Sequence, residues 1–396
     1  MFNKVMQKLG QERSVIREIF EYGNARAKQI GRENVFDFSL GNPSIPAPDC
    51  VREEIERLLQ EMPSESLHGY TSAAGAPDVR KAVAQYIQTA FGVPVSENHV
   101  YMTCGAAASL TITLNALFEK GDEFVVITPC FPEYKVFIER AGGKVVTAKS
   151  DKNFHLDLST LKKAIGKNTK AVILNSPNNP TGAVYSAEEI KGLAALLKEK
   201  SNEKGAPIFL ISDEPYRELV YGTVVPYVMN YYENTIVCYS FSKSLSLAGE
   251  RIGYIAIHPA CTGTENLFAA VCGAGRSLGY VCAPALFQKV CAKCLGKSSD
   301  ISVYDSNRKL LYGALTDMGY ACILPEGAFY LFMKSPEPDA KAFCERAKKY
   351  ELLLVPSDSF GVEGYVRISY CVDSNMIRRA LPAFEKLAKE YFTLRK

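Results

Sequence analysis

The chain lacks tryptophan, has only four histidines, has no excess of either charge and has no long apolar run. Lys and Arg number 46 against 43 Asp and Glu, so the charge favours neither nucleic acid nor an anionic membrane as the main partner. No run of about 18 apolar residues occurs, so we predict no membrane-spanning helix. The histidines lie far apart in the sequence, which argues against a metal site. Without tryptophan, aromatic stacking in a binding site must come from Phe or Tyr.

The remaining composition is ordinary for a globular enzyme. The chain has 396 residues, enough for two or three domains, and 47% of them are apolar. Its twelve cysteines are scattered, and the first twenty residues carry frequent charges without the apolar core of a signal peptide. We therefore predict reduced thiols and a cytoplasmic protein. The CxxC pair Cys291 and Cys294 has no second pair at zinc-finger spacing and lies in a segment predicted to be helical, which favours a packing role.

Short apolar segments alternate with amphipathic helices over most of the chain. The predicted strands cover residues 99–105, 123–129, 144–148, 170–176, 207–212, 235–240 and 253–258. Apolar strands with little alternation are typical of a sheet that is covered on both faces. Their alternation with helices predicts an α/β fold with a mostly parallel sheet flanked by helices.

The pattern changes after about residue 285. A long helical stretch there leads to two strand-like segments, 321–334 and 364–371, and to a final helix. We predict an N-terminal segment over 1–48 that packs with the small domain, a large domain over 49–285, and a smaller α+β domain over 286–396.

Polar residues follow three successive predicted strands. Asn179 follows the strand 170–176, Asp213 and Tyr216 follow the next, and Lys243 and Arg251 follow the third. Ligands of open α/β sheets bind beyond the carboxyl ends of the strands, so we expect these side chains to line one crevice. A lysine in such a crevice can have its pKa lowered by burial and can act as an amine nucleophile.

Five segments carry a resemblance to a known family. They are SLGNPSIPAP (39–48), NSPNNPTG (175–182), DEPY (213–216), SFSKSLSLAGERIGY (240–254) and GYVRISY (364–370). Together and in this order they resemble the class I/II pyridoxal-phosphate-dependent aminotransferases of the aspartate aminotransferase fold (fold type I), over nearly the whole chain. The resemblance implies a large domain with a seven-stranded sheet, a smaller α+β domain and pyridoxal 5'-phosphate as cofactor.

The family's roles at the cofactor ring are carried over to four residues. Lys243 would hold the cofactor as a Schiff base and, once released, would move the proton between Cα and the cofactor. Asp213 would pair with the pyridine nitrogen and keep it protonated. Tyr216 and Asn179 would hydrogen-bond the ring oxygen and tune the pKa of the Schiff base.

The resemblance also implies a phosphate site. Arg251 would bind the phosphate by charge and Ser240 by its hydroxyl. The backbone amides of Gly105, Ala106 and Ala107 open a predicted helix, and a helix N-terminus suits an anion. The two alanines depart from family members with hydroxyl residues in this loop, so we expect more dependence on Ser240 and Arg251.

Further residues match positions near the ring and the substrate. Phe131 falls where the family stacks an aromatic residue on the pyridine ring. Arg367 matches the arginine that binds the α-carboxylate of the substrate as a bidentate pair. Gly41 and Asn179 are expected beside the same carboxylate.

Two residues are implied to act across a subunit boundary. Tyr70 matches the tyrosine that reaches the phosphate of a neighbouring subunit, which implies a homodimer with shared active sites. Arg276 lies near where some aspartate-specific relatives place an arginine for the distal carboxylate of the substrate. If it does not read that carboxylate, the pocket favours other amino acids.

The resemblance implies an enzyme that moves an amino group between an L-amino acid and a 2-oxo acid. Aspartate, or a related or aromatic amino acid, with 2-oxoglutarate is the expected pair. The alternative is a β-C–S lyase with the same cofactor, because both reactions begin with loss of the Cα proton and the fold does not decide between them. A third reading is a binding or regulatory protein without turnover, against which Lys243, Asp213 and Arg367 argue together.

Overall fold

The structure is a computed structural model that describes residues 2–11 and 14–392. Its strands are β1 (Phe36–Asp37), β2 (Val100–Thr103), β3 (Glu123–Thr128), β4 (Lys144–Lys149), β5 (Thr169–Asn175), β6 (Phe209–Asp213), β7 (Thr235–Ser240), β8 (Gly253–Ile257), β9 (Cys322–Ile323), β10 (Tyr330–Lys334), β11 (Leu352–Leu353), β12 (Val355–Pro356) and β13 (Tyr365–Ser369). Its helices are α1 (Lys4–Gln11), α2 (Val15–Ile30), α3 (Asp49–Glu61), α4 (Ser64–His68), α5 (Pro77–Phe91), α6 (Ala106–Leu117), α7 (Glu133–Ala141), α8 (Leu158–Ala164), α9 (Ala187–Lys204), α10 (Phe241–Ser244), α11 (Thr264–Ser277), α12 (Ala285–Lys293), α13 (Ser302–Asp317), α14 (Ala340–Lys348) and α15 (Ser374–Ala388).

A seven-stranded sheet in the order β2-β8-β7-β6-β5-β3-β4 forms the centre of the larger unit. Its strands are apolar on both faces because both are covered by helices. In β3, for example, Phe124 and Val126 face α6, α7 and α11, whereas Val125 and Ile127 face α8 and α9. This confirms the predicted α/β fold with a seven-stranded, mostly parallel sheet.

One strand of this sheet runs against the other six. β8 is antiparallel to both of its neighbours, β2 and β7, whereas the other strand pairs are parallel. Gly253 at the start of β8 is in register with Thr103 and Ser240, the last residues of β2 and β7. The residues that precede β8 therefore lie at the carboxyl edge of the sheet, where ligands bind in open α/β folds.

The smaller unit is built on an antiparallel sheet in the order β12-β13-β10-β9. Its core contains Leu311 of α13, Phe343 of α14 and Phe384 of α15, packed against buried residues of β10 and β13. The N-terminal β1 pairs in parallel with β11. Residues near 36 are therefore hydrogen-bonded to the C-terminal unit.

The division into 1–48, 49–285 and 286–396 stays a prediction, and residues 1, 12, 13 and 393–396 of it lie outside the described residues. The contacts of α12 bear on one boundary. Val290 and Cys291 pack with Val51 of α3 and Val83 of α5 in a single cluster. These contacts favour a boundary after Lys293.

All twelve cysteines are free. Cys291 in α12 and Cys294 directly after it are buried, and burial raises the pKa of both thiols. Across residues 2–11 and 14–392, His, Cys, Asp and Glu form no group of three or more that could hold a metal ion. Over the same residues no helix is long and apolar enough to cross a membrane.

Candidate active site

A cavity of about 330 Å³ lies at the carboxyl edge of the large sheet, between the two units. The ends of β5, β6 and β7 form its floor, and residues of β10 and β13 form part of its wall. Eleven of the residues singled out from the sequence line it: Gly41, Ala106, Ala107, Phe131, Asn179, Asp213, Tyr216, Ser240, Lys243, Arg251 and Arg367. The structure thus brings them together, and their individual roles stay predictions.

Lys243 extends from α10, the short helix that follows β7. Its Nζ donates a hydrogen bond to the carbonyl oxygen of Gly41 at 2.7 Å. Burial lowers the pKa of Lys243 to about 8, and the cations of Arg251 and Arg367 act in the same direction. A substantial fraction of this amine is therefore neutral near physiological pH, as a nucleophile or a proton acceptor must be.

Asp213 is the last residue of β6 and is fully enclosed. Its Oδ2 accepts a hydrogen bond from the Tyr134 hydroxyl at 2.5 Å, whereas its buried Oδ1 has no partner among the described residues. Burial raises the pKa of Asp213 to about 7, against the hydrogen bond from Tyr134, which lowers it. Buried acceptors are rarely left unpaired, so the free oxygen indicates a missing donor.

Arg367 in β13 is a buried cation whose contacts are neutral. Its Nη1 donates to Oδ1 of Asn179 at 3.1 Å and its Nη2 to the carbonyl oxygen of Ser39 at 2.5 Å. Its buried Nε has no partner within the described part of the chain. A buried charge without a counter-ion is costly, and a cavity that keeps one is suited to an anionic ligand.

A second set of residues that line the same cavity suits an anion and is called the anion cradle below. Ala106 and Ala107 begin α6, a twelve-residue helix whose N-terminal amides suit an anion. Gly105 precedes it at φ +88°, and a Cβ built there would lie 2.9 Å from Nη2 of Arg251. Only glycine permits both this backbone conformation and this approach of the guanidinium. The Ser240 hydroxyl lies beside the cradle and accepts a hydrogen bond from the Ser242 amide at 3.1 Å.

Three residues were expected at the cofactor ring or across a subunit boundary. Phe131 lines the cavity, and its ring meets the ring of Tyr134 edge-on at 5.7 Å. Tyr70 is 91% exposed and Arg276 is exposed on the last turn of α11, and neither lines this cavity. Since both were expected to serve a neighbouring subunit, their roles stay predictions.

Sequence reasoning missed three residues of the site. Tyr134 holds Asp213, and Tyr330 at the start of β10 lies with its hydroxyl 3.0 Å from that of Tyr216. The side-chain amide of Asn175 donates through Nδ2 to the backbone carbonyl oxygen of Asp213 at 2.9 Å. Its Oδ1 accepts a hydrogen bond from the backbone N–H of Asn179 at 2.8 Å. A signal existed for Asn175, which opens the NSPNNPTG segment, whereas the two tyrosines are indistinguishable in sequence from core residues.

Comparisons with known proteins agree with this geometry. Residues 33–384 match the family model described as aminotransferase class I and II. An aspartate aminotransferase of Thermotoga maritima is 32% identical over 91% of this chain and 94% of its own. The crystal structure of an amino transferase from Eubacterium rectale superimposes with a TM-score of 0.96 at 54% identity, over 99% of both chains. The aspartate aminotransferase of Thermus thermophilus with maleate superimposes with a TM-score of 0.86 at 27% identity, over 98% of this chain and 99% of its own.

Proposed function

The chain belongs to the class I and II aminotransferases, and we propose that it binds pyridoxal 5'-phosphate and exchanges amino groups between aspartate, or a related or aromatic L-amino acid, and 2-oxoglutarate. Its activity as an aminotransferase follows from the family and from its relatives. The cofactor in this cavity, the preferred amino acid and the roles of single residues are the proposed part.

The observation that carries the proposal is the set of incomplete partners around one cavity. The Lys243 amine has a lowered pKa, and within the described parts of the chain Asp213 has a buried oxygen without a partner and Arg367 has no carboxylate partner. Each lacks a group that a bound cofactor and amino acid would supply. The aldehyde carbon of the cofactor, its protonated ring nitrogen and the α-carboxylate of an amino acid would complete these three groups in turn.

The residues fit pyridoxal 5'-phosphate at each of its polar groups. Arg251, Ser240 and the first amides of α6 would hold the phosphate, and Oδ1 of Asp213 would accept from the ring nitrogen. Lys243 would bind the aldehyde carbon through its amine. When bound, the cofactor draws electrons from Cα of the amino acid and so makes loss of the Cα proton feasible.

The chain itself then moves and holds protons. Lys243 in its neutral form accepts a proton from Cα, and the Gly41 carbonyl offers the displaced amine an acceptor at 2.7 Å. Asp213 would keep a proton on the ring nitrogen of a bound cofactor, and the hydrogen bond from the Tyr134 hydroxyl favours the charged form of Asp213 that this requires. Arg367 orients the amino acid through its carboxylate, which places Cα toward the lysine.

The choice of a dicarboxylic substrate is supported by the relatives. The Thermotoga maritima and Thermus thermophilus proteins are called aspartate aminotransferases, and the second was solved with maleate, a dicarboxylate. In this chain Arg276 is proposed to bind the distal carboxylate from a neighbouring subunit. Its exposure on α11 leaves it free to do so.

We also propose a homodimer with shared active sites and a cytoplasmic location. Tyr70 lies on the surface with 91% of its area exposed, which suits a residue that contacts the active site of another subunit. The twelve free thiols suit a reducing compartment.

The first test is the visible spectrum of the purified protein with pyridoxal 5'-phosphate. We expect an absorption band that aspartate bleaches and 2-oxoglutarate restores. Lys243→Ala should lose this band and lower kcat at least about a thousandfold, while phosphate contacts still retain cofactor. Lys135→Ala, at an exposed lysine of α7, is the matched control and should behave as the unaltered protein.

A protein that stays colourless with pyridoxal 5'-phosphate would overturn the proposed cofactor. Normal turnover of Lys243→Ala would overturn the role of the lysine. Release of a 2-oxo acid from cysteine without any amino acceptor would instead identify the β-C–S lyase reaction.

A further inference from the structure

Tyr330 lines the cavity, and its hydroxyl and its ring contact two different residues of the site. It is 3% exposed, and its hydroxyl lies 3.0 Å from the hydroxyl of Tyr216. Its ring lies under the Arg367 guanidinium, with 4.5 Å between Cζ and the ring centroid. A Cβ built on Gly41 would overlap the Tyr330 hydroxyl, so glycine at position 41 is what admits this phenol to the cavity.

The hydrogen bond between the hydroxyls of Tyr216 and Tyr330 uses one of their two protons and leaves the other available. Burial raises the pKa of Tyr330 to about 12 and that of Tyr216 well above its usual value, so both are protonated at neutral pH. Each hydroxyl has one proton, and one of the two lies between the oxygens. The other is free for a ligand, and it belongs to whichever tyrosine accepts the shared hydrogen bond.

The ring of Tyr330 serves a different neighbour. Arg367 is flanked by Tyr330 and, at 5.1 Å, by Phe360. Aromatic faces attract a guanidinium without neutralising it, so they stabilise the cation and leave its donors available for a carboxylate. The hydroxyl and the ring of Tyr330 can therefore be removed separately.

We propose that Tyr330 is a positioning residue with two functions: its hydroxyl donates to Tyr216 and thereby directs the Tyr216 proton toward the ring oxygen of the cofactor, and its ring holds the Arg367 guanidinium for the α-carboxylate. This inference rests on the proposed cofactor. Donation into the Tyr216 oxygen also strengthens Tyr216 as a donor, because hydrogen bonds in a chain polarise one another.

The test is a spectroscopic pH titration of the cofactor band in three variants. Tyr330→Phe removes the hydroxyl alone and should raise the pKa of the lysine-bound cofactor by about half a unit, with KM for the amino acid changed less than about twofold. Tyr330→Leu also removes the ring and should raise KM about fivefold to tenfold. Tyr221→Phe is the control, because the Tyr221 hydroxyl donates to the carbonyl oxygen of Ala328, two residues before Tyr330, at 2.6 Å, and Tyr221 does not line the cavity.

A double variant tests separately whether the hydroxyl of Tyr330 acts through Tyr216. In Tyr216→Phe, the further change Tyr330→Phe should leave the titration unmoved, since the proton that it directs is gone. The inference is overturned if Tyr330→Phe titrates as the unaltered protein, if Tyr221→Phe shifts the band equally, or if the effects of Tyr216→Phe and Tyr330→Phe add. A protein that forms no band at all counts against the proposed cofactor instead.

Discussion

Three buried arginines differ in what compensates their charge. Arg217 pairs with Glu214 at 2.5 Å and Arg308 pairs with Asp305 at 2.6 Å. Arg367 is the least exposed of the three, at 2%, and its hydrogen-bond acceptors are an amide oxygen and a carbonyl oxygen. The first two have carboxylate partners within the fold, whereas the surroundings of Arg367 suit the role proposed for it in binding an anionic substrate group.

Arg367→Ala therefore separates stability from function. KM should rise for every amino acid by about 2–3 kcal/mol of binding free energy, because a charged hydrogen-bonded pair is lost. The free energy of unfolding should stay equal or increase, because an uncompensated buried charge is removed. Steady-state kinetics with aspartate and an aromatic amino acid, together with urea unfolding, measure both. Arg308→Ala is the contrasting variant and should lower stability, and an unchanged KM in Arg367→Ala would remove the residue from the site.

The site residues that were predicted from the sequence differ in their surroundings from the site residues that were missed. Asp213 is the last residue of the apolar strand β6, and Lys243 lies three residues beyond the end of β7, so their placement at a sheet edge was predictable. Tyr134 lies on the buried face of α7, and Tyr330 begins the apolar strand β10. A tyrosine at either place reads as core, and only the three-dimensional contact of its hydroxyl distinguishes it.

At the scale of elements, a histidine of the larger unit contacts the loop that precedes β10 in the smaller unit. His155, which follows β4, lies with Nδ1 3.1 Å from Oε1 of Glu189 in the first turn of α9, and with Nε2 3.7 Å from Oε2 of Glu326. Glu326 belongs to the loop before β10 and accepts a hydrogen bond from the Val184 amide at 3.1 Å. The loop that leads to Tyr330 is thereby fixed to the segment that follows Asn179.

The contacts of His155 with Glu189 and Glu326, called the His155 joint below, predict that the stability of the protein depends on pH. The hydrogen bond to Glu189 foremost, and then Glu326 and Asp151, raise the pKa of His155 above 6.5, while burial opposes them. The contribution of protonated His155 to the free energy of unfolding is therefore fully present below the pKa of about 6.5 in the unfolded chain. It is lost as the pH rises through the higher pKa of the folded protein. Tyr185 packs edge-on against the imidazole and stays neutral over this range.

His155→Asn should consequently lower Tm at about pH 6 more than at about pH 8.5, with an effect below about 1 kcal/mol because both side chains of the pair are partly exposed. Thermal unfolding at the two pH values measures it. His258→Asn is the control of opposite sign, because burial lowers the pKa of His258. An equal loss for His155→Asn at both pH values would contradict the ionic nature of the joint.

The architecture was predictable from the sequence further than these contacts were. Apolar strands alternating with helices determine a covered parallel sheet, and β3 shows the expected burial on both faces. The reversed direction of β8 left no trace in composition, because Gly253–Ile257 is as apolar as a parallel strand. The joint at His155 was equally hidden, since it depends on residues far apart in the chain.

At the scale of the whole molecule, the proposed dimer makes a test of subunit mixing possible. Lys243→Ala and Tyr70→Ala should each be impaired as homodimers. If Tyr70 serves the neighbouring site, a mixed dimer contains one site with both Lys243 and Tyr70 intact. Random reassortment should therefore recover about a quarter of the normal activity, since half of the dimers are mixed and each has one intact site. No recovery after mixing would place Tyr70 in the site of its own chain.

The connection between β7 and β8 has a further consequence for how the protein is made. Ser240, Lys243 and Arg251 come from one excursion between adjacent antiparallel strands, whereas Arg367 meets Asn179 across 188 positions of the chain. Closing a short loop costs less entropy than closing a long one. During synthesis Ser240, Lys243 and Arg251, which are proposed to hold the cofactor, emerge 116 to 127 positions before Arg367 does. The chain order therefore makes the proposed cofactor-binding residues available to the nascent protein first, and the arginine proposed to bind the amino acid last.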